Sequence, residues 1–167
     1  MFAKIITAVL LYLIYWFCCF LATGTDKKNL LGLRSYPENV QRIVKNEPSL
    51  KNSLPKERSL LAILSGNLLL FTVVFSLLGI VLKGVLGLTD YLSAFVYFLI
   101  LGEGLGVFDL VVIDLLWWRN TKRIRFTFLP ERSSYQDPKK HVGSFLRGIP
   151  LFAVVAAITA GIVTVIG

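Results

Sequence analysis

Four long apolar segments dominate the sequence, and their lengths limit the folds that the chain can adopt. They cover residues 5–21, 60–82, 91–118 and 149–167. A helix needs about 20 apolar residues to cross the hydrocarbon core of a bilayer. Because lipid offers no hydrogen-bond partner to the backbone, a segment that crosses it alone must be helical. With a mean hydropathy of +0.69, the chain is predicted to be an all-α integral membrane protein with a bundle of four transmembrane helices.

Positive charge is concentrated in the two long connections between these segments. The loop of residues 24–58 carries eight Lys and Arg residues, the loop of residues 119–148 carries eight more, and the whole chain has 18. Basic loops are retained on the cytoplasmic side of a membrane. We therefore expect a single polytopic domain over residues 1–167, N-out and C-out, with both loops cytoplasmic. Cleavage of the first segment as a signal peptide would place the first basic loop outside, which argues against it.

The net charge of +8 indicates the partners that the chain should meet. Cations beside anionic headgroups gain about 1 kcal/mol each, so we assign the basic balance to membrane lipids at the cytoplasmic face. The sequence has no nucleic-acid-binding motif, and we expect no nucleic acid as a partner. Length and charge bias suit a bacterial inner (plasma) membrane.

Both loops show local patterns. In "SYPENVQRIVKNEP" the spacing of Ser35 and Glu38 is that of a capping box, and it predicts a short amphipathic helix. In "KRIRFTF" polar and apolar residues alternate, which predicts an extended segment at the membrane interface. Asp137 is positioned to cap a helix that leads into the fourth span.

The third span contains three carboxylates, Glu103, Asp109 and Asp114. An ionisable group inside a span costs about 2.5–3.5 kcal/mol on insertion scales, so a functional or paired role is the first expectation. At about 100° per residue, Glu103 and Asp114 share one face and Asp109 lies about 120° away. With a rise of about 1.5 Å per residue, Asp114 is about 6 Å from the cytoplasmic edge, Asp109 about 13 Å and Glu103 about 22 Å.

The same estimate of depth, applied to the other spans, suggests partners for the carboxylates. Tyr12, Asn67 and Thr159 bracket the level of Asp109, and we expect them to form a polar layer around it. Arg58 or Arg119 would pair with Asp114. No cation reaches the level of Glu103, so we expect that carboxyl group to be neutral and suited to carrying a proton or responding to a cation.

Beyond the third span, basic residues form a predicted binding patch for an anionic headgroup or phosphate. Its members are Arg119, Lys122, Arg123, Arg125 and Arg147. Asp137 and His141 are four residues apart, so on a helix the carboxylate would orient the imidazole as a general base. Their catalytic role is the weaker alternative, because a lone His beside lysines is usually solvated. The sequence offers no metal-binding cluster and no cofactor motif, and adjacent Cys18 and Cys19 are interpreted as apolar filler.

Three functions remain open at this point. The first is a small transport protein or permease-type subunit, homo-oligomeric or bound to a partner membrane subunit, in which Glu103 and Asp109 handle protons or a cation, supported by Asp114, Asn67 and Tyr12. The second is a membrane-embedded enzyme acting on a lipid headgroup or prenyl substrate at the cytoplasmic face. The third is a non-catalytic assembly partner of another membrane protein.

Overall fold

A computed structural model describes residues 2–166, and over that range the chain is helical with no strand. In chain order the helices are α1 (Phe2–Leu21), α2 (Asp26–Leu31), α3 (Glu38–Asn46), α4 (Leu60–Leu86), α5 (Tyr91–Phe108), a π-helix (Asp109–Trp118) and α6 (Lys139–Ile166). Short 3₁₀ turns lie at Leu33–Ser35, Lys51–Ser53 and Arg132–Tyr135.

Four of these helical stretches are long and apolar enough to cross a membrane, as the sequence predicts. They are α1, α4, α5 with its π-helical continuation, and α6. Helix α4 continues beyond the expected span to Leu86, and α6 begins at Lys139, before the apolar segment that starts at residue 149, as the cap predicted at Asp137 requires. Asp137 explains the early start of α6, because its carboxylate accepts a hydrogen bond of 3.0 Å from the backbone N–H of Lys139 and satisfies one free donor of the first turn.

The chain forms two compact units. The first, here called the span unit, comprises residues up to Tyr12, Arg58–Gly106 and the residues from Leu146 onward. The second, here called the loop unit, comprises Leu13–Glu57 and Val107–Phe145. Three of the long helices contribute residues to both.

Aromatic rings packed against glycines form the core of the span unit. The rings of Phe75 and Phe98 stack with centroids 5.8 Å apart, and Phe152 lies 6.3 Å from Phe75. A Cβ on Gly102 would lie 2.7 Å from the Phe152 ring, and a Cβ on Gly79 would lie 2.7 Å from the Phe98 ring. Small residues in spans allow close approach between helices. The glycines of α4 and α5 therefore make room for rings of the neighbouring helices.

A second apolar core holds the loop unit together, and both basic loops contribute to it. It contains residues of the first loop, the end of the π-helix and the second loop, namely Leu30, Leu33, Tyr36, Val40, Val44, Trp118, Ile124, Phe126 and Tyr135. The buried Tyr36 hydroxyl donates a hydrogen bond of 2.7 Å to the backbone carbonyl of Ile124. Burial raises the pKa of Tyr36, so the hydroxyl keeps its proton and remains a donor.

The predicted loop patterns are confirmed only in part. Helix α3 is present, and Val40 and Val44 are fully buried on one face. The capping box is wrong: Pro37 precedes the helix, and no side chain caps its first turn. In the second loop Ile124 and Phe126 point inward as the alternation predicts, but the segment contains turns, because Arg125 N–H bonds to Lys122 and Leu129 N–H bonds to Phe126.

Candidate functional site

The π-helix of the third span brings two aspartates onto one face. Its hydrogen bonds join residues five apart, as in the bond of 3.3 Å from the Arg119 N–H to the Asp114 carbonyl. Asp109 and Asp114 are also five residues apart, so this hydrogen-bonding pattern brings their side chains closer together around the helix than a regular α-helix would. The expected angle of about 120° assumed 100° per residue throughout, and the π-helix from Asp109 onward changes the direction in which Asp114 points.

Asp114 pairs with a histidine. Its carboxylate Oδ2 lies 2.9 Å from Nδ1 of His141, and the two side chains are only 15% and 4% exposed. The sequence did not predict this partner, since Arg58 or Arg119 was expected to pair with Asp114. The expected contact between His141 and Asp137 is also wrong, because the Asp137 carboxylate accepts the Lys139 N–H that opens α6.

Asp109 has a partner that the sequence did not reveal. Tyr15, on α1, lies close enough to interact with its carboxyl group, and Cys19 lies beside Tyr15 one turn further along the same helix. His141 and Asp114 are both close enough to interact electrostatically with Asp109. Together Tyr15, Cys19, Asp109, Asp114 and His141 form one site in the loop unit, called below the acid cluster.

The residues expected to form a polar layer around Asp109 belong to the span unit, whereas Asp109 belongs to the loop unit. The Tyr12 hydroxyl donates a hydrogen bond of 3.0 Å to the backbone carbonyl of Leu101. There is space for this hydroxyl because residue 104 is a glycine, and a Cβ at that position would clash with it. Asn67 is exposed on α4. Thr159 is buried, and its hydroxyl has no hydrogen-bond partner within residues 2–166. All three belong to the span unit, and a count of depth alone could not distinguish Tyr12 from Tyr15.

His141 has one ring nitrogen in use and one available. Nδ1 contacts Asp114, whereas the buried Nε2 has no hydrogen-bond partner in the part of the chain that is described. The Trp118 ring packs edge-on against the imidazole with centroids 4.7 Å apart. A buried nitrogen without a partner costs free energy. In a histidine whose other nitrogen is held by a carboxylate, such an atom can accept and release a proton.

The acid cluster contains two carboxyl groups and one imidazole in apolar surroundings. Two like charges at such short separation disfavour each other, and a positive imidazole favours a neighbouring negative carboxylate. A cluster of this composition is stabilised when its members differ in charge rather than when both carboxyl groups are ionised. Such a site can exchange a proton internally without a change in its net charge.

Glu103 is apart from this cluster and belongs to the span unit. It is partly exposed, and it makes no hydrogen bond or ion pair with any residue in the range 2–166. Its role in carrying protons remains a prediction.

The predicted headgroup patch is partly used for internal contacts. The Arg123 guanidinium donates to the carbonyls of Phe20 and Thr23 and lies 3.8 Å from the centre of the Phe20 ring. Arg125 donates to the carbonyls of Pro130 and Asn120. Arg123 therefore connects the second loop to the end of α1, and Arg125 stabilises the second loop itself. Lys122 is exposed in the loop unit, and Arg119 is half-buried there.

Arg147 is exposed on α6 and belongs to the span unit, so the five basic residues do not form one patch within a single unit. Within residues 2–166 there is no group of three or more His, Cys, Asp or Glu side chains that could hold a metal ion.

Comparison of the sequence with family models and with curated proteins finds no match, and comparison of the fold with solved structures finds none. The function must therefore be inferred from the site itself.

Proposed function

We propose that the chain is a small transport protein or permease-type subunit that handles protons, and that the acid cluster is its proton-binding site. The observation that carries the proposal is the buried contact of 2.9 Å between Asp114 and His141, with Asp109 one π-helical turn away. Ionisable groups at this depth are expensive, and in spans they commonly form proton relays. This moves the centre of the proposed chemistry from Glu103 to the pair of aspartates.

Each member of the cluster has a role in this proposal. The Asp109 carboxyl group holds the exchangeable proton, with Tyr15 beside it. Asp114 fixes the ring orientation of His141 through Nδ1 and compensates its positive charge. The unpartnered Nε2 of His141 is the atom through which a proton enters or leaves. Trp118 covers the imidazole and limits its contact with water.

The orientation that we propose is N-out and C-out, with the acid cluster near the cytoplasmic face. The positive-inside bias supports it. A second support is that the two basic loops share one apolar core, because loops that pack on each other lie on the same side of a membrane. This places α1, α4, the third span and α6 in alternating directions. A bacterial inner membrane is the location that we propose.

Proton movement in liposomes tests the proposal. Purified protein is reconstituted around a trapped pH-sensitive dye, and a potassium diffusion potential drives proton entry. We expect faster entry than in protein-free liposomes and loss of that difference in Asp109→Asn and Asp114→Asn. Asp137→Asn is the matched control, because an exposed Asn can still cap α6. A wild-type rate equal to that of empty liposomes would contradict the proposal.

One observation favours a second candidate, an enzyme acting on a lipid headgroup or prenyl substrate. A histidine oriented by a carboxylate, with its other nitrogen unpartnered, is the arrangement of a general base. The low exposure of His141, 4%, favours proton exchange instead, because a substrate would need the loop unit to open. Incubation with labelled lipids separates the two: a product that disappears in His141→Phe would establish the enzyme. The role of assembly partner stays a third possibility, tested by loop deletions.

A further inference from the structure

A cavity of about 680 Å³ lies between α1 and α5 in the span unit, and no residue of the acid cluster lines it. The two helices run in the same direction there, since Lys4 packs on Tyr97 and Tyr12 bonds to Leu101. The cavity extends along α5 from Asp90 to Leu101. Eleven residues at about 1.5 Å each give it a length of about 16 Å.

Apolar side chains form the walls of this groove. Ile5, Val9, Val96 and Ile100 line it, and between 44% and 67% of the surface of each is exposed. These residues lie on helices that are long and apolar enough to span a membrane. The surroundings of the groove are therefore hydrocarbon, and a chain of methylene groups fits its walls better than water or a polar solute.

The lining of the groove includes one charge of each sign. Lys4 lines it near the start of α1, with its ammonium group 5.6 Å from the centre of the Tyr97 ring and no carboxylate paired to it within residues 2–166. Asp90 lines it just before α5. Hydrogen bonds from the backbone and side chain of Ser93 lower the pKa of Asp90, so this carboxylate stays negative at neutral pH.

We propose that this groove binds one membrane phospholipid whose headgroup carries a phosphate and a primary ammonium, with the phosphate at Lys4 and the ammonium at Asp90. An acyl chain lies along the apolar walls toward Leu101. The proposal is independent of the function proposed for the acid cluster.

Charge complementarity selects this headgroup over its relatives. A primary ammonium has three N–H donors for the Asp90 carboxylate, as a lysine side chain has. A trimethylated ammonium has none. A glycerol headgroup leaves the phosphate charge without a compensating cation and brings it toward the negative Asp90. The groove should therefore favour phosphatidylethanolamine over phosphatidylcholine and over phosphatidylglycerol.

Native mass spectrometry of the full chain in detergent tests this preference, with equal amounts of the three lipids carrying identical acyl chains. We expect one phosphatidylethanolamine to be retained per chain, about tenfold above either competitor, which corresponds to the loss of one charge-assisted hydrogen bond. Equal retention of all three lipids would overturn the proposal.

Variants assign the binding to this groove. Lys4→Gln should lower retention of every phospholipid, whereas Asp90→Asn should shift the preference toward phosphatidylglycerol. Lys51→Gln removes an exposed lysine of the loop unit and should change nothing. Ala8→Trp fills the groove without altering charge, so it should lower occupancy even if the charge variants prove unstable. Unchanged occupancy in Ala8→Trp, or an unchanged preference in folded Asp90→Asn, would overturn the assignment.

Discussion

Breaking the pair between Asp114 and His141 should destabilise the chain far more than breaking a salt bridge of the same length on the surface. Helix α6 provides both pairs at neighbouring positions. His141 contacts Asp114 at 2.9 Å with 4% and 15% of the side chains exposed. Lys140 contacts Glu38 at 2.9 Å with 37% and 84% exposed. The N···O distance is therefore the same in the two pairs, whereas the burial of their side chains differs.

The magnitude follows from the cost of leaving one buried group alone. Removing one partner of a buried pair typically costs about 3 kcal/mol, whereas replacing both partners by apolar groups is nearly neutral. Asp114→Leu and His141→Phe should each cost about that much, and the double variant should cost much less than their sum. Phe at position 141 preserves the edge-on contact with Trp118, so the coupling reports the polar pair rather than the ring packing.

Equilibrium unfolding of the purified protein in mixed micelles measures the coupling through a double-mutant cycle. The matched cycle uses Glu38→Ala and Lys140→Ala, and its coupling should be indistinguishable from zero, because both groups are accessible to water. Equal coupling in the two cycles would refute the reasoning, since burial would then have no effect on the strength of the pair.

Three further outcomes are expected in the same unfolding assay. Gly102→Ala should destabilise the folded chain by about 1–3 kcal/mol, because the new Cβ would meet the Phe152 ring at 2.7 Å. Gly161→Ala is the control: the space around Gly161 is open, so the stability should change by less than about 0.5 kcal/mol. Tyr36→Phe should cost about 1–3 kcal/mol by leaving a buried carbonyl of the second loop without its donor. Asp90→Ala should be less stable than the wild type at neutral pH. The folded chain lowers the pKa of Asp90, so the Asp90 carboxylate contributes fully to stability above its ordinary pKa and loses that contribution as the pH falls through the lowered pKa. If Asp90→Ala were still less stable than the wild type in acid, this cause would be contradicted.

Segment length and hydropathy were sufficient to predict four helices that are long and apolar enough to span a membrane. Length fixes which segments can cross a bilayer, and the structure has four helices that meet this requirement. The burial of Val40 and Val44 also followed from helical periodicity. These features depend on residues close together in the chain, which is why the sequence alone predicts them.

The partners of the carboxylates could not be predicted in this way. A count of depth assumes a uniform α-helix, and the π-helix that begins at Asp109 changes which residues share a face. The sequence predicted that a helix capped by Asp137 leads into the fourth span, but the pairing of Asp114 with His141 depends on how that helix packs against the π-helix. The sequence identified these residues as chemically unusual, but their contacts depend on the packing of the loop unit.

The most direct test of the central proposal is the protonation of the acid cluster itself, followed by infrared difference spectroscopy of reconstituted protein as the pH changes. We predict a protonated carboxyl band that disappears in Asp109→Asn and shifts when His141 is replaced by Phe, while Glu103→Gln leaves it in place. A carboxyl band that is lost only in Glu103→Gln, or one that does not respond to pH in any variant, would contradict a proton site at Asp109, Asp114 and His141.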